Sequence, residues 1–218
     1  MNNIKDYRSK ELLWYIIAQI LLVIVFQNSD ILKLDFDKMI ELATAIVSST
    51  LTSSVIGVMS FVFDSIFSDE LKSKLLYFGF KRPGECVFEN IKNKHCDFRY
   101  TKERAMDAYK EIYENMPNDK KRKKAYQNDQ WYKIFSKHQD FIMVSNSHRD
   151  YLLCRDIYFA TIMVVVFYVL ISILLVKVTF SWKLLVFEFV LLLVSNFATR
   201  QRGKRFVSNV IARDLQSK

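Results

Sequence analysis

Residues 42–63 and 157–176 run for 22 and 20 residues without a charged side chain, although a quarter of the chain is Asp, Glu, Lys or Arg. Charge and apolarity are segregated into blocks. A helix rises ~1.5 Å per residue, so stretches of roughly 17–25 apolar residues span the ~30 Å hydrocarbon core of a bilayer. Two shorter blocks flank these: 12–26, with 15 uncharged residues, and 184–199, with 16 residues interrupted by Glu188. Trp14, Tyr15, Trp182 and Lys183 supply interfacial aromatic and snorkelling anchors for the short blocks. Lys5, Arg8 and Lys10 resemble the basic lead of a signal peptide, yet Gln27 to Asp30 offer no small-residue cleavage site. The first block therefore reads as an uncleaved span.

Composition agrees with this reading and excludes others. The chain is 51% hydrophobic and 15% aromatic, too apolar for a disordered chain. Four Gly and two Pro are too few for a turn-dense β-sandwich. The expected fold is an all-α integral membrane protein. It has four transmembrane helices and a mainly helical cytoplasmic insert between spans two and three. Its segments are a first helical pair (1–67), a basic cytoplasmic domain (68–156), a second helical pair (157–199) and a basic amphipathic tail (200–218).

Orientation follows from the cations. The N-terminus carries three, the long insert 19 and the tail six, so 28 of the 32 Lys and Arg fall on one side of a four-span layout. Positive-inside bias places both termini and the insert in the cytoplasm. Cys86, Cys96 and Cys154 then lie on the reducing side, where free thiols are normal. Cys86, His95 and Cys96 lack paired metal-ligand spacing. No cofactor or metal is expected.

The second span differs from the others. Ala45, Ser49, Ser53 and Gly57 recur every four residues, and Thr44, Ser48, Thr52 and Ser60 mark the adjacent stripe. Small residues let helix backbones approach closely in lipid, and hydroxyls hydrogen-bond across the contact. The alternatives are packing within one chain, or copies meeting in an oligomer to line a hydrated path. On the second reading Thr44, Ser48, Ser49, Thr52, Ser53, Gly57 and Glu188 line the pore. Glu41 and Glu188 lie near the outer ends of spans two and four. Each forms a structural ion pair with a nearby lysine (Lys38, Lys177 or Lys183) or serves an ion pathway.

The insert reads as helical. Residues 100–116 form its clearest helix, with Thr101 as N-cap and Pro117 as terminator. Trp131, Ile134, Phe135 and His138 share a second amphipathic face, Pro83-Gly84 marks a turn, and 119–124 reads as a solvated basic loop. From about Ser147 the pattern continues into the third span, giving one helix that enters the membrane from the insert. Residues 69–156 carry 19 basic and 14 acidic side chains. Lys81, Arg82, Arg99, Arg104, Lys133, His148, Arg149 and Arg155 interleave with Tyr100, Tyr109, Trp131 and Tyr132. Guanidinium groups grip phosphate bidentately and aromatic rings stack on bases, which suits a nucleotide or oligonucleotide. The other reading of these cations is contact with anionic lipid headgroups, the reading preferred for 120–124. Phe206, Val207, Val210 and Ile211 share a face of the tail, which lies on the inner membrane surface or packs on the insert.

Catalysis has no support. His148-Arg149-Asp150 matches the start of a kinase catalytic loop, but Arg155 stands where Asn is required, and no Gly-rich loop, P-loop or G-x-S-x-G accompanies it. The chain is not expected to be an enzyme.

The layout of two spans, basic insert, two spans and basic tail resembles the small four-transmembrane effectors of bacterial antiviral signalling, in cyclic-nucleotide and Hailong-type systems. The residues carrying the comparison are Pro83-Gly84, Trp131-Tyr132-Lys133, Tyr151-Leu152-Leu153-Cys154-Arg155-Asp156 and Arg202-Gly203-Lys204-Arg205-Phe206-Val207. The resemblance implies a homo-oligomeric pore in the bacterial inner membrane, gated by a nucleotide-derived signal from a partner nucleotidyltransferase. A tetramer is favoured, membrane lipid is a partner, and stable duplex nucleic acid is not. The alternative is a non-conducting adaptor that recruits a soluble partner through the insert.

Overall fold

The computed structural model describes residues 2–27, 68–94, 97–174 and 180–217. Every regular element among them is helical: α1 (Asn2–Gln27), α2 (Asp69–Leu76), a 3-10 turn (Pro83–Cys86), α3 (Val87–Asn93), α4 (Lys102–Ala108), α5 (Lys110–Glu114), α6 (Lys120–His138), α7 (Ile142–Leu174) and α8 (Trp182–Gln216). The predicted second span and its small-residue stripes lie outside the described residues, as do His95 and Cys96. Two helices, α7 and α8, are long and apolar enough to cross a membrane.

The chain divides into two units. Unit 1 comprises 1–72 and 153–198, and unit 2 comprises 73–152 and 199–218. Both boundaries between 153 and 199 fall inside continuous helices, so α7 and α8 each contribute to both units. Segments far apart in the chain thus join in each unit, 1–72 with 153–198 and 73–152 with 199–218.

In unit 1 the polarity of a water-soluble helix is reversed. Exposed on α8 are Trp182, Val186, Phe189, Val190, Leu193, Val194 and Phe197, whereas Glu188 and Ser195 are buried. The exposed positions recur at three and four residues and form one apolar face. On α7, Ile173 and Leu174 are three-quarters exposed. Only 22% of the most apolar window of either helix is buried, unlike the core helix of a soluble protein. Ile16 and Ile20 of α1 pack on Ala160 of α7. Beside them the Tyr15 hydroxyl meets Thr161 Oγ1 at 2.6 Å. The start of α8 is set by Ser181, whose Oγ accepts from Leu184 N at 3.4 Å while its own N–H donates to the Tyr168 hydroxyl at 2.8 Å.

Unit 2 has a conventional core. Phe88, Ile91, Ala105, Tyr109, Trp131, Phe135, Val144, Phe206, Val210 and Ile211 are buried together. The tail packs on the insert: its apolar face continues α8 and fills the centre of the unit. Phe206 is met edge-on by Trp131 and Phe135, with ring centroids 5.4 and 5.2 Å away, and is stacked by His148 at 4.8 Å.

Two local expectations are corrected. The helix expected over 100–116 is broken at Tyr109 (φ −114°, ψ 22°), where the chain turns between α4 and α5. Tyr109 is buried and donates its hydroxyl to Asp214 Oδ2 at 2.9 Å, so a tertiary contact bends the helix. Thr101 does cap α4, accepting from Arg104 N at 3.3 Å. Residues 120–124 form the opening of α6 rather than a loop, because Asp119 accepts from Arg122 N at 2.9 Å and caps the helix. A contact with no counterpart in the sequence reading caps α3 from a distance: buried Gln127 of α6 accepts from Glu89 N at 3.0 Å.

Gly203 lies inside α8, where glycine is disfavoured by about 1 kcal/mol relative to alanine. A Cβ there would sit 2.5 Å from the Tyr77 hydroxyl oxygen and 3.2 Å from the Tyr151 ring. Close packing outweighs helix propensity. Gly203→Ala is therefore expected to lower the thermal unfolding midpoint, the reverse of the propensity expectation; circular dichroism of the detergent-solubilised protein checks the sign.

Candidate functional site

Unit 2 contains a cavity of about 660 Å³ between α4–α5, α6 and the end of α8. Its inner wall is a buried hydrogen-bonded group. Asp214 accepts from Tyr109 at one oxygen, and the other lies 2.9 Å from His138 Nε2. Burial first, and then the Asp214 charge, pushes the Tyr109 hydroxyl far above the ordinary tyrosine range, so it remains a donor. The outer wall is supplied by α6: Gln130, Tyr132, Lys133, Ser136 and Lys137 line the opening. Lys133 and Lys137 are four residues apart and share a helix face. The Tyr132 ring is more than half exposed.

Two ammonium groups beside an exposed aromatic ring are suited to an anionic ligand with a flat apolar part. Lys133 Nζ rests 2.9 Å from Asp129, in a pair whose side chains are 61% and 59% exposed. Such an open pair contributes little and exchanges readily with a competing anion. Glu111 also lines the cavity, on the α5 side. It disfavours phosphate on that wall and can accept from amino groups. The cavity is therefore polar in two senses, cationic along α6 and acidic opposite.

Of the eight basic residues expected to hold a ligand, Lys133 alone lines this cavity, together with Tyr109 and Tyr132 of the interleaved aromatics. Arg99 is committed elsewhere, with all five guanidinium N–H groups engaged. Nε and Nη2 grip Asp97 at 2.9 and 2.6 Å; Nη1 reaches Asn209 Oδ1 at 2.8 Å and Met143 Sδ at 3.9 Å; Nη2 also reaches Ser208 Oγ at 3.0 Å. Arg104 donates to the Leu215 carbonyl at 2.7 Å. Trp131 and His148 are packed around Phe206, serving the core rather than a ligand surface. Lys81 lies 3.4 Å from Glu89, Arg82 3.6 Å from Glu85, Arg149 3.3 Å from Asp150 and Arg155 3.3 Å from Asp156. Arg155 belongs to unit 1. Most of these arginines thus fasten the fold, while Lys133 and Lys137 of α6 face the cavity. Lys137 was not singled out in the sequence; its only signal is its spacing from Lys133.

Glu188 is the one predicted pore residue among the described residues. It is 1% exposed, with neither carboxylate oxygen hydrogen-bonded. The ion pair expected with Lys183 is not formed, since Lys183 is exposed and Glu188 is enclosed.

Comparison with protein-family models, with curated proteins and with solved structures returns no match to this sequence.

The Asp97–Arg99 pair gives a pH signature. Burial acts to raise the Asp97 carboxyl, but hydrogen bonds from Arg99 and Ser208 outweigh it and hold the group at about 2, below its ordinary 3.8. A depressed folded-state value means that the contribution is fully present above the unfolded value and fades as pH falls from about 4 toward 2. Asp97→Asn is expected to cost about 2 kcal/mol at neutral pH and to flatten the acid limb of the stability curve. Denaturant titrations at several pH values measure both.

Proposed function

We propose that this chain is an oligomeric membrane effector whose unit 2 binds a nucleotide-derived anion and thereby gates an ion path through the bacterial inner membrane. The observation carrying this reading is the reversed polarity of unit 1, with an apolar face outward on α8 above buried Glu188 and Ser195. Apolar surface of that extent is stable against acyl chains and unstable in water. On this reading four spans cross the bilayer and both termini are cytoplasmic, as the cation distribution requires. Thr44, Ser48, Ser49, Thr52, Ser53 and Gly57 of the second span then line the path.

Gating follows from connectivity. Helix α7 belongs to unit 2 up to Leu152 and to unit 1 from Leu153, without interruption. A ligand that binds one arrangement of unit 2 more tightly shifts the population by its differential affinity. A difference of ~10⁴-fold converts the population almost completely. The cavity bearing Lys133 and Lys137 is the entry point for that ligand.

A second reading is a non-conducting adaptor. It is favoured by the fully exposed Phe98 and the three-quarters exposed Ile142 on unit 2, which suit a protein partner.

Two experiments test the reading. Combining Lys133→Glu with Lys137→Glu is expected to weaken binding of nucleotide probes by about tenfold or more, equivalent to ~1.4 kcal/mol; calorimetry with cyclic and linear nucleotides measures this. Thr52→Leu with Thr52's neighbour Ser53→Leu is expected to abolish conductance in planar bilayers while leaving nucleotide affinity unchanged. Absence of conductance in the unaltered protein under every ligand condition would remove the channel and leave the adaptor.

A further inference from the structure

Unit 1 buries acceptor oxygens that no donor reaches. Thr161 donates its hydroxyl hydrogen to the Ile157 carbonyl at 2.9 Å, so its oxygen accepts the hydrogen of Tyr15 at 2.6 Å. The Tyr15 oxygen in turn accepts from Gln19 Nε2 at 2.8 Å. These hydrogen bonds therefore run toward Ile157, and the Tyr15 hydroxyl has no hydrogen left to give. Gln19 is 3% exposed, and its Oε1 has no partner. Both oxygens of Glu188 are also unpartnered, and its carboxyl lies within electrostatic reach of the Tyr15 hydroxyl.

The neighbourhood thus offers three unpartnered acceptor oxygens, and no donor among the described residues reaches either oxygen of the Glu188 carboxyl. From α1 the ionisable group near Glu188 is Tyr15, and from α7 the polar side chain in the same network is Thr161, which does not titrate. On α8 the flanking cation, Lys183, is exposed. No lysine, arginine or histidine among the described residues acts on the carboxyl. An ionised, unpaired carboxylate in such a place carries a heavy desolvation cost, and one hydrogen on the carboxyl removes both the charge and the missing donor.

We propose that Glu188 is a buried proton-binding site. Its carboxyl holds a proton in this arrangement and releases it when the α1–α7 contact around Tyr15, Gln19 and Thr161 opens to water. Release is a simple acid dissociation: the O–H bond breaks, water takes the proton, and the carboxylate keeps the electron pair. The proposal rests on the reading of these helices as membrane-embedded, but not on nucleotide binding or conduction.

Infrared difference spectroscopy of the full chain in phosphatidylcholine liposomes tests it directly, because a protonated carboxylic acid has a carbonyl band that a carboxylate lacks. The expected result is a protonated-acid band at neutral pH that disappears in Glu188→Gln and shifts in Glu188→Asp. Absence of the band at neutral pH, or its persistence in Glu188→Gln, overturns the proposal. Thermal unfolding is a second measurement: the unaltered protein should lose stability as the medium becomes alkaline, and Glu188→Gln should lose this dependence. If exchanging sodium and potassium for choline at fixed pH lowers the midpoint of the unaltered protein but not of Glu188→Gln, the occupant is a metal cation and the proton site is refuted. A chain that stays dissolved without detergent would instead refute the membrane reading, an outcome separate from either.

Discussion

Around Phe206 the rings of Trp131, Phe135 and His148 close within 5.4 Å, and Tyr151 stacks at 6.1 Å. Each buried side chain of this size contributes about 1.5–3 kcal/mol, with aromatic pairing adding ~0.5–1.5 kcal/mol per contact. The remaining features of unit 2 depend on this cluster, because it fixes the last turns of α8. Once residues 206–215 are held there, Ser208 and Asn209 meet Arg99, Asp214 meets Tyr109 and His138, and the Leu215 carbonyl meets Arg104. A tail that lay on a membrane surface would make none of these contacts.

Unit 1 solves the opposite problem. Its helices turn apolar side chains outward and keep hydroxyls, an amide and a carboxyl inside, where Tyr15, Gln19 and Thr161 are linked by hydrogen bonds. Backbone polar groups are paired within helices, so the arrangement suits a solvent that offers no hydrogen bonds. Glu188 is the ionisable exception, with neither carboxyl oxygen partnered, and buried exceptions of this kind are where function is sought.

The candidate ligand site was only partly legible in the sequence. A list of cations interleaved with aromatics correctly marked unit 2 as basic, but it could not distinguish a cation that binds outward from one that fastens the fold. Arg99 illustrates the difference. Its guanidinium is planar with five donors, so a folded chain readily saturates it, and Asp97, Ser208, Asn209 and Met143 do so. Lys133 and Lys137 are compact charges on flexible stems at an exposed helix face, where few groups compete for them. Trp131 and His148 were drawn inward for a similar reason, since Phe206 offers them more buried contact than a ligand rim does.

Helical class, the extent of the apolar blocks and the continuity of α7 were determined by the sequence alone, because hydrophobic periodicity and charge-free length are local properties written along the chain. The Thr101 cap and the Pro83-Gly84 turn were legible on the same ground. The break at Tyr109, the capping of α3 by Gln127, the docking of the tail and the isolation of Glu188 were decided only by tertiary structure. Each depends on a partner far away in the chain: Asp214 for Tyr109, Glu89 for Gln127 and Trp131 for Phe206. No local pattern encodes which distant side chain arrives, nor that, among the described residues, no donor reaches the buried carboxyl of Glu188.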